Sequence, residues 1–109
     1  MDKLEAQSEP LVTFDLNVSP DRQATVTLAG ELDMGGIPPL ERKVGATLAE
    51  GVTRLTVDVT DLRFADSSAI AIWVRWAGEV GEFELRNPSP LLARVISAMG
   101  LSGRLGVPA

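Results

Sequence analysis

The chain has 109 residues, no histidine, no cysteine and a formal net charge of −5. That length is enough for one small domain. The acidic balance, with no stretch rich in lysine or arginine, disfavours binding to nucleic acid. Without His or Cys the chain lacks the commonest general base, the commonest metal ligand and a thiol nucleophile. A Ser-His-Asp triad is excluded, and we expect neither a metal nor a cofactor.

The ends of the chain and its apolar runs bear on where the protein resides. Residues 1–10 are charged and contain no apolar core, which is not typical of a signal peptide. No apolar run is long enough to span a membrane. The absence of disulfides fits a reducing compartment. We therefore expect a cytoplasmic protein with a polar lead-in over residues 1–10, a single domain over residues 11–109 and no direct membrane insertion.

Two strands open the predicted domain. Residues 11–18 alternate between apolar and polar side chains, and residues 24–29 do the same. Ser19-Pro20-Asp21 between them is typical of a turn, so the two strands are expected to form a hairpin. The second strand ends at Gly30-Glu31-Leu32-Asp33.

An amphipathic helix follows. Pro38 and Pro39 suit the first turn of a helix, where a missing N–H costs little. Apolar residues then recur every fourth position, at Leu40, Val44 and Leu48. The pattern predicts a helix to about Glu50, closed by Gly51.

The second half of the chain predicts two more strands and two more helices. A third strand covers residues 53–59, a loop covers Thr60 to Ala65, and a helix covers residues 67–78. A fourth strand covers residues 82–86. Ser89 and Pro90 are typical of a helix start, and Gly100 of its end. The apolar face of this last helix is Leu91, Leu92, Val95, Ile96 and Met99. Residues 101–109 are interpreted as a short tail.

The resulting order is ββαβαβα, an α/β fold. Two strand–helix–strand units imply parallel, right-handed crossovers. Since every strand alternates, we expect a mixed four-stranded sheet with helices packed mainly on one face. The carboxyl ends of the second and third strands then share one sheet edge. That arrangement brings the segment from Glu31 to Asp33 close to Asp66-Ser67-Ser68.

The helix that begins at Ser67 has two interpretations. Asp66 and Ser67 are both favourable N-cap residues, and the next six residues, Ala69 to Val74, are all apolar. Such a helix is either deeply packed or presents one side to another protein. The second interpretation adds Ala69 and Trp73 to a partner-binding surface. From the residues alone, Ser67 and Ser68 are better explained as plain capping serines than as a control point.

A phosphate on Ser67 has distinct effects on folding and on binding. It would add about −1.5 to −2 charge. The N–H groups and dipole of the helix start favour that charge, whereas Asp66 opposes it, so the fold should survive. At an apolar interface, the same charge would have to be desolvated without a partner. Modification of Ser67 could therefore switch binding without unfolding the domain.

Three segments resemble the STAS domain, which is named for sulphate transporters and anti-sigma-factor antagonists. The most specific segment is Val57-Asp58-Val59-Thr60-Asp61-Leu62-Arg63-Phe64-Ala65-Asp66-Ser67-Ser68, which is similar to the family's phosphorylation segment. The other two are Leu28-Ala29-Gly30-Glu31-Leu32-Asp33, and Asn87-Pro88-Ser89-Pro90 together with Met99-Gly100-Leu101. The resemblance covers roughly residues 11–107.

The resemblance implies a bacterial partner-switching regulator rather than an enzyme. In the family's antagonists, the first serine after the aspartate is phosphorylated by a serine kinase that is itself an anti-sigma factor. That serine matches Ser67. The unphosphorylated antagonist binds the anti-sigma factor and releases a sigma factor, and a Ser/Thr phosphatase resets the switch. Asp66, Ser68 and the segment Gly30, Glu31, Leu32 and Asp33 match positions around the partner-binding surface.

The sequence departs from the family pattern at Ala69, where antagonists usually have glycine. Some family members act instead as unphosphorylated docking subunits of a lipid or anion transporter, which is the alternative function.

An enzymatic alternative would need a Ser–Lys pair formed by Ser67 with Lys3 or Lys43. The chain has no glycine-rich phosphate loop followed by Lys, so a phosphoryl group would have to come from another protein.

Overall fold

A computed structural model describes residues 11–108 of the chain. It contains the predicted order of four strands and three helices, with a short 3-10 turn at Met34–Gly36. The strands are β1 (Val12–Val18), β2 (Gln23–Leu32), β3 (Arg54–Ala65) and β4 (Glu82–Arg86). The helices are α1 (Ile37–Leu48), α2 (Ser67–Ala77) and α3 (Pro90–Ala98). The predicted lead-in, with Lys3, and the final residue of the predicted tail lie outside the described residues.

The four strands form one sheet in the order β1-β2-β3-β4. β1 and β2 are antiparallel, which confirms the predicted hairpin, and the β2–β3 and β3–β4 pairs are parallel. The two parallel pairs are joined through α1 and α2, as the ββαβαβα order requires. The sheet is therefore mixed, as predicted.

One face of the sheet is apolar and carries the helices. Val26, Val57 and Leu85 pair across β2, β3 and β4 on this face and are almost completely buried. Leu40 of α1 and Ile96 of α3 complete the same core at 0 % exposure. On the opposite face, Arg54 forms ion pairs of 3.2 Å with both Glu82 and Glu84. The contrast between the faces confirms the prediction that the helices pack on one side.

The prediction that Thr60 to Ala65 form a loop was wrong. These residues continue β3 and pair with the last residues of β2, from Ala29 to Leu32. The pairing register shifts between Thr27 and Ala29 and again between Gly30 and Glu31, with an extra β3 residue each time. Each such bulge reverses the side-chain alternation, so a strict period of two was not visible in the sequence.

The description of residues 101–109 as a tail was also wrong for the residues that the structure describes. Leu105 is completely buried and Val107 is 7 % exposed. The backbone N–H of Leu85 donates to the carbonyl of Leu105 at 2.9 Å, which ties this segment to β4. Gly106 has a φ of +64°, and a Cβ there would lie 2.5 Å from the carbonyl oxygen of Phe83. This segment therefore contributes side chains to the hydrophobic core.

Candidate functional site

The ends of β2 and β3 lie side by side. Leu32 pairs with Ala65, the last residue of β3, and the N–H of Asp66 donates to the carbonyl of Leu32 at 3.3 Å. Asp33 and Asp66 follow these paired residues directly. The predicted proximity of the segment Glu31 to Asp33 and the segment Asp66 to Ser68 is confirmed, and the extension of β3 is what produces it.

Each of the two aspartates caps the element that follows it. Asp33 Oδ1 accepts from the N–H of Gly35 at 3.0 Å at the start of the 3-10 turn. Asp66 Oδ1 accepts from the N–H groups of Ser68 (3.0 Å) and Ala69 (3.3 Å) at the start of α2. These bonds satisfy donors that would otherwise lack a partner at a helix start.

The surroundings of Asp66 favour its ionised form. The hydroxyl of Ser68 donates to the Asp66 carboxylate and is the largest cause of a lowered pKa. Backbone N–H groups of Ala69, Ser68 and Met34 also lower this pKa, and partial burial opposes them. Asp66 is therefore a fixed negative charge at the start of α2 at neutral pH.

The two serines after Asp66 differ in their surroundings. Ser68 is partly buried, and its hydroxyl is engaged with Asp66. Ser67 is exposed as the first residue of α2, and within residues 11–108 its side chain forms no hydrogen bond. The hydroxyl of Ser67 is therefore the accessible nucleophile of the pair.

Gly30 lies where the start of β1 comes close to the end of β2. Its φ is +98°, and a Cβ would lie 2.2 Å from the carbonyl oxygen of Leu11. The next residue, Glu31, donates its N–H to that same carbonyl at 2.9 Å. The carboxylate of Glu31 lies 3.6 Å from the guanidinium of Arg63 on β3, and both side chains are substantially exposed. Gly30 thus has a backbone role, whereas Glu31 contributes charge to the surface.

A groove with a volume of about 280 Å³ opens beside Ser67. Its walls are the end of β3, the first turn of α2 and one side of α3. Four of its apolar side chains are strongly exposed: Phe64 (52 %), Leu91 (64 %), Val95 (40 %) and Met99 (53 %). An exposed apolar patch of this kind next to a polar group is typical of a protein-binding site.

This groove corrects the predicted role of α3. The sequence predicted an apolar face from Leu91 to Met99, but among the described α3 residues only Ile96 is buried. Ser89 does cap the helix as predicted, since its Oγ accepts from the N–H of Leu92 at 3.1 Å. Ile96 anchors α3 in the core, with Leu92 partly buried against it, and most of the remaining apolar face is exposed.

The remaining predicted site residues fall into a buried group and a partly exposed group. Leu32, Ala69 and Trp73 are each 0 % exposed, and Gly30 is also buried. In this conformation none of the three side chains reaches the surface, and Gly30 has no side chain to present. The deeply packed interpretation of α2 therefore holds at Ala69 and Trp73. Glu31, Asp33, Asp66 and Ser68 remain partly exposed, after or near the ends of β2 and β3 and in the first turn of α2.

Sequence reasoning missed Arg63 and Phe64, because both fell in the segment interpreted as a loop. Leu91, Val95 and Met99 were predicted to lie on the apolar face of the last helix, but they were not predicted to be part of the site. Their spacing of four residues indicates one helix face but does not reveal whether that face is covered. Lys43, one of the two lysines of the enzymatic alternative, is exposed on α1 and does not line the groove.

Residues 11–108 contain neither a cluster suited to a metal ion nor a helix able to span a membrane. No group of three or more Asp, Glu, His or Cys residues in this range could hold a metal ion. Within the same range, no helix has the length and apolar character needed to cross a membrane.

The geometry defines a class of protein: a small α/β domain with an exposed serine at a helix start, set beside an apolar groove. The chain belongs to the STAS domain family, since the family profile described as "Mlab, STAS domain" matches residues 17–107. None of the curated protein sequences compared with the chain matches it significantly.

Solved structures with the same fold include anti-sigma-factor antagonists. The unphosphorylated form of SpoIIAA has a TM-score of 0.77 at 24 % identity, covering 89 % of each chain. The phosphorylated form of the Bacillus cell fate determinant SpoIIAA has a TM-score of 0.73 at 24 % identity, covering 89 % of this chain and 92 % of that one. An antagonist from Mycobacterium paratuberculosis has a TM-score of 0.72 at 26 % identity, covering 90 % of this chain and 86 % of that one.

Proposed function

We propose that this protein is an anti-sigma-factor antagonist whose binding to an anti-sigma serine kinase is switched off by phosphorylation of Ser67. The observation that carries the proposal is the position of Ser67, exposed at the start of α2 and on the rim of an apolar groove. The fold shared with solved antagonists supports the same function. In this proposal the domain is a substrate and a ligand, not a catalyst.

The contact surface proposed for the anti-sigma factor joins two parts of the molecule. The polar part consists of Glu31, Asp33, Asp66 and Ser68, which surround Ser67. The apolar part is the groove, with the exposed side chains of Phe64 and α3. Apolar contacts supply most of the binding free energy in such an interface, and the charged rim provides specificity.

The geometry favours Ser67 over Ser68 as the phosphoacceptor. A kinase must reach the hydroxyl oxygen and align it with the γ-phosphoryl group of ATP. Transfer forms the bond from Ser67 Oγ to phosphorus, breaks the bond from phosphorus to the leaving ADP, and releases the hydroxyl proton. The Ser68 hydroxyl would first have to leave Asp66, and its loss would weaken the cap of α2.

Phosphorylation of Ser67 should affect binding much more than folding. The capping bonds of α2 run to Asp66 and do not involve the Ser67 side chain. In the complex, however, the phosphate would be desolvated beside an apolar groove and next to a fixed carboxylate. If this costs on the order of 3–5 kcal/mol, affinity falls about a hundredfold to a few thousandfold. A Ser/Thr phosphatase acting on the modified form would restore binding.

The test measures binding of Ser67 variants to the anti-sigma serine kinase of the source organism by calorimetry. We expect Ser67→Ala to bind like the wild type and Ser67→Asp to bind at least tenfold more weakly. Ser97→Asp, which places the same charge on an exposed part of α3 outside the groove, is the matched control and should bind normally. Phosphosite mapping after incubation with the kinase and ATP should find Ser67 modified. Equal affinity of the Ala and Asp variants, or modification elsewhere, would refute the proposal.

A docking subunit of a lipid or anion transporter is the second candidate. It is favoured by Ala69, which is completely buried and replaces the glycine usual after the serine pair in antagonists. In that role the groove would bind a transporter component and Ser67 would stay unmodified. Co-purification with a transporter ATPase or permease that is equal for Ser67→Ala and Ser67→Asp would support it.

A further inference from the structure

The immediate surroundings of Ser67 offer little to neutralise a phosphate. Asp66 places a carboxylate on the preceding residue. Its Oδ1 already accepts from the N–H groups of Ser68 and Ala69, which are among the donors that a helix start would otherwise present to an anion. A phosphate on Ser67 would therefore gain more from a cation outside the helix than from the helix start itself.

Arg63 is placed to supply that cation. Among the described residues that line the groove, it is the one with a positive charge, and Ser67 lines the same groove. Its side chain is 72 % exposed, so its guanidinium is accessible to solvent and to a new partner. Arg63 also lies only four residues before Ser67, with both residues adjoining the end of β3.

The present partner of Arg63 is held weakly. The guanidinium lies 3.6 Å from the Glu31 carboxylate, and the Glu31 side chain is itself 44 % exposed. Exposed pairs of this kind contribute little and exchange readily. A phosphate carries more charge than a carboxylate, and its oxygens match the planar donor fork of arginine.

We propose that Arg63 receives the phosphate of phosphorylated Ser67 and, in doing so, gives up its pair with Glu31. The consequence is a second change on the partner-binding surface. Glu31, at the end of β2, loses its cation at the same moment as Ser67 gains its charge. One modification would then alter the charge on both β-strand ends that border the site. The inference rests on the proposed function, because it requires Ser67 to be the phosphoacceptor.

The experiment installs phosphoserine at position 67 during synthesis of the full chain, so that no kinase is needed. Phosphorus NMR then follows the second ionisation of the phosphate, whose pKa is ordinarily about 6. A nearby guanidinium favours the dianion and lowers this pKa. We expect Arg63→Gln to raise it by about half a unit relative to the phosphorylated wild type, and about 1 M salt should remove most of the difference.

Matched variants separate a direct pair from a general charge effect. Arg42→Gln removes the same charge from the exposed side of α1, outside the groove, and should leave the phosphate pKa nearly unchanged. Glu31→Gln removes the present partner of Arg63, so the phosphate pKa should be lower than in the phosphorylated wild type. Arg63→Lys keeps the positive charge without the planar donor fork of arginine, so it should retain part of the lowering of the phosphate pKa. It also provides a folded comparison if Arg63→Gln misfolds.

Equal phosphate titrations in the Arg63→Gln and Arg42→Gln proteins would overturn the inference. Its failure is distinguishable from that of the proposed function. If the kinase modifies Ser67 but the titrations are equal, the switch stands and the arginine pair does not. If no kinase modifies Ser67 but the installed phosphate responds to Arg63, the pair stands and the proposed switch does not.

Discussion

The cap of α2 is the structural feature closest to the proposed phosphoacceptor, and Asp66→Ala tests it directly. The substitution removes an acceptor for two backbone N–H groups, at 3.0 and 3.3 Å, and for the Ser68 hydroxyl. Loss of an N-cap side chain costs about 0.5–2 kcal/mol. Because three donors lose their acceptor here, we expect a decrease in the free energy of unfolding of about 1.5 kcal/mol. For a domain of this size, that lowers Tm by roughly 6–12 °C.

Two variants show whether the cap itself is responsible. Asp66→Asn keeps an acceptor at the cap without the charge, so it should lose much less stability at neutral pH. Asp33→Ala removes a cap that accepts a single N–H, from Gly35, at the start of a three-residue turn. Its effect should therefore be smaller than that of Asp66→Ala.

The contribution of Asp66 should also depend on pH in a defined direction. Hydrogen bonds from Ser68, Ala69 and Met34 lower the pKa of Asp66 in the folded state. The unfolded value is about 3.9. A lowered folded pKa contributes stability that is fully present above the unfolded pKa and is lost as pH falls through the folded pKa. The stability difference between the wild type and Asp66→Asn should therefore shrink below about pH 4.

Calorimetry at neutral pH and urea unfolding between pH 7 and about 3.5 provide these measurements. An unchanged Tm in Asp66→Ala would show that the cap does not support α2. A difference between wild type and Asp66→Asn that stays constant down to the lowest pH would show that the ionised carboxylate is not favoured by folding.

Two further predictions compare paired substitutions. Gly30→Ala should destabilise the domain by about 2 kcal/mol or more in urea unfolding, because φ is +98° and the new Cβ would meet the Leu11 carbonyl. The same change at Gly45, inside α1 where no neighbouring element lies within 4 Å of a Cβ, should stabilise the domain by about 0.5–1 kcal/mol. If both substitutions stabilised the domain, or both destabilised it, the result would contradict the geometry. Leu105→Ala should cost about 2–4 kcal/mol because the side chain is completely buried. Leu91→Ala, at 64 % exposure, should change stability by less than about 0.5 kcal/mol, and similar losses at both leucines would be inconsistent with an open groove.

Local chemistry explains why much of the site could be predicted from sequence. Asp66 and Ser89 are favourable capping residues directly before apolar helical patterns, and both cap their helices in the structure. Parallel crossovers place strand ends on one edge, which was enough to predict that Asp33 and Asp66 would be close. These inferences depend on short stretches of chain and on the handedness of connections.

The features that were missed depend on tertiary packing. The segment from Thr60 to Ala65 is a strand only because it pairs with the end of β2, and its two bulges conceal the alternation. The exposure of Val95 and Met99 depends on how few contacts α3 makes with the core. Leu105 is buried because a left-handed glycine, Gly106, lets the chain approach β4 closely. None of these properties is encoded within one periodic segment.

The extension of β3 also explains how the proposed switch could be carried by a stable fold. If β3 ended at Val59, a free loop would lead from β3 to the start of α2, and Asp66 would have no fixed relation to Leu32. Pairing carries the chain to Ala65, so Asp66 is positioned by the sheet and then holds the first N–H groups of α2. Behind it, Ala69 and Trp73 are buried in the core. The exposed side chain of Ser67 makes no hydrogen bond within residues 11–108, so we expect a charge added there to act on the surface and to leave this frame intact.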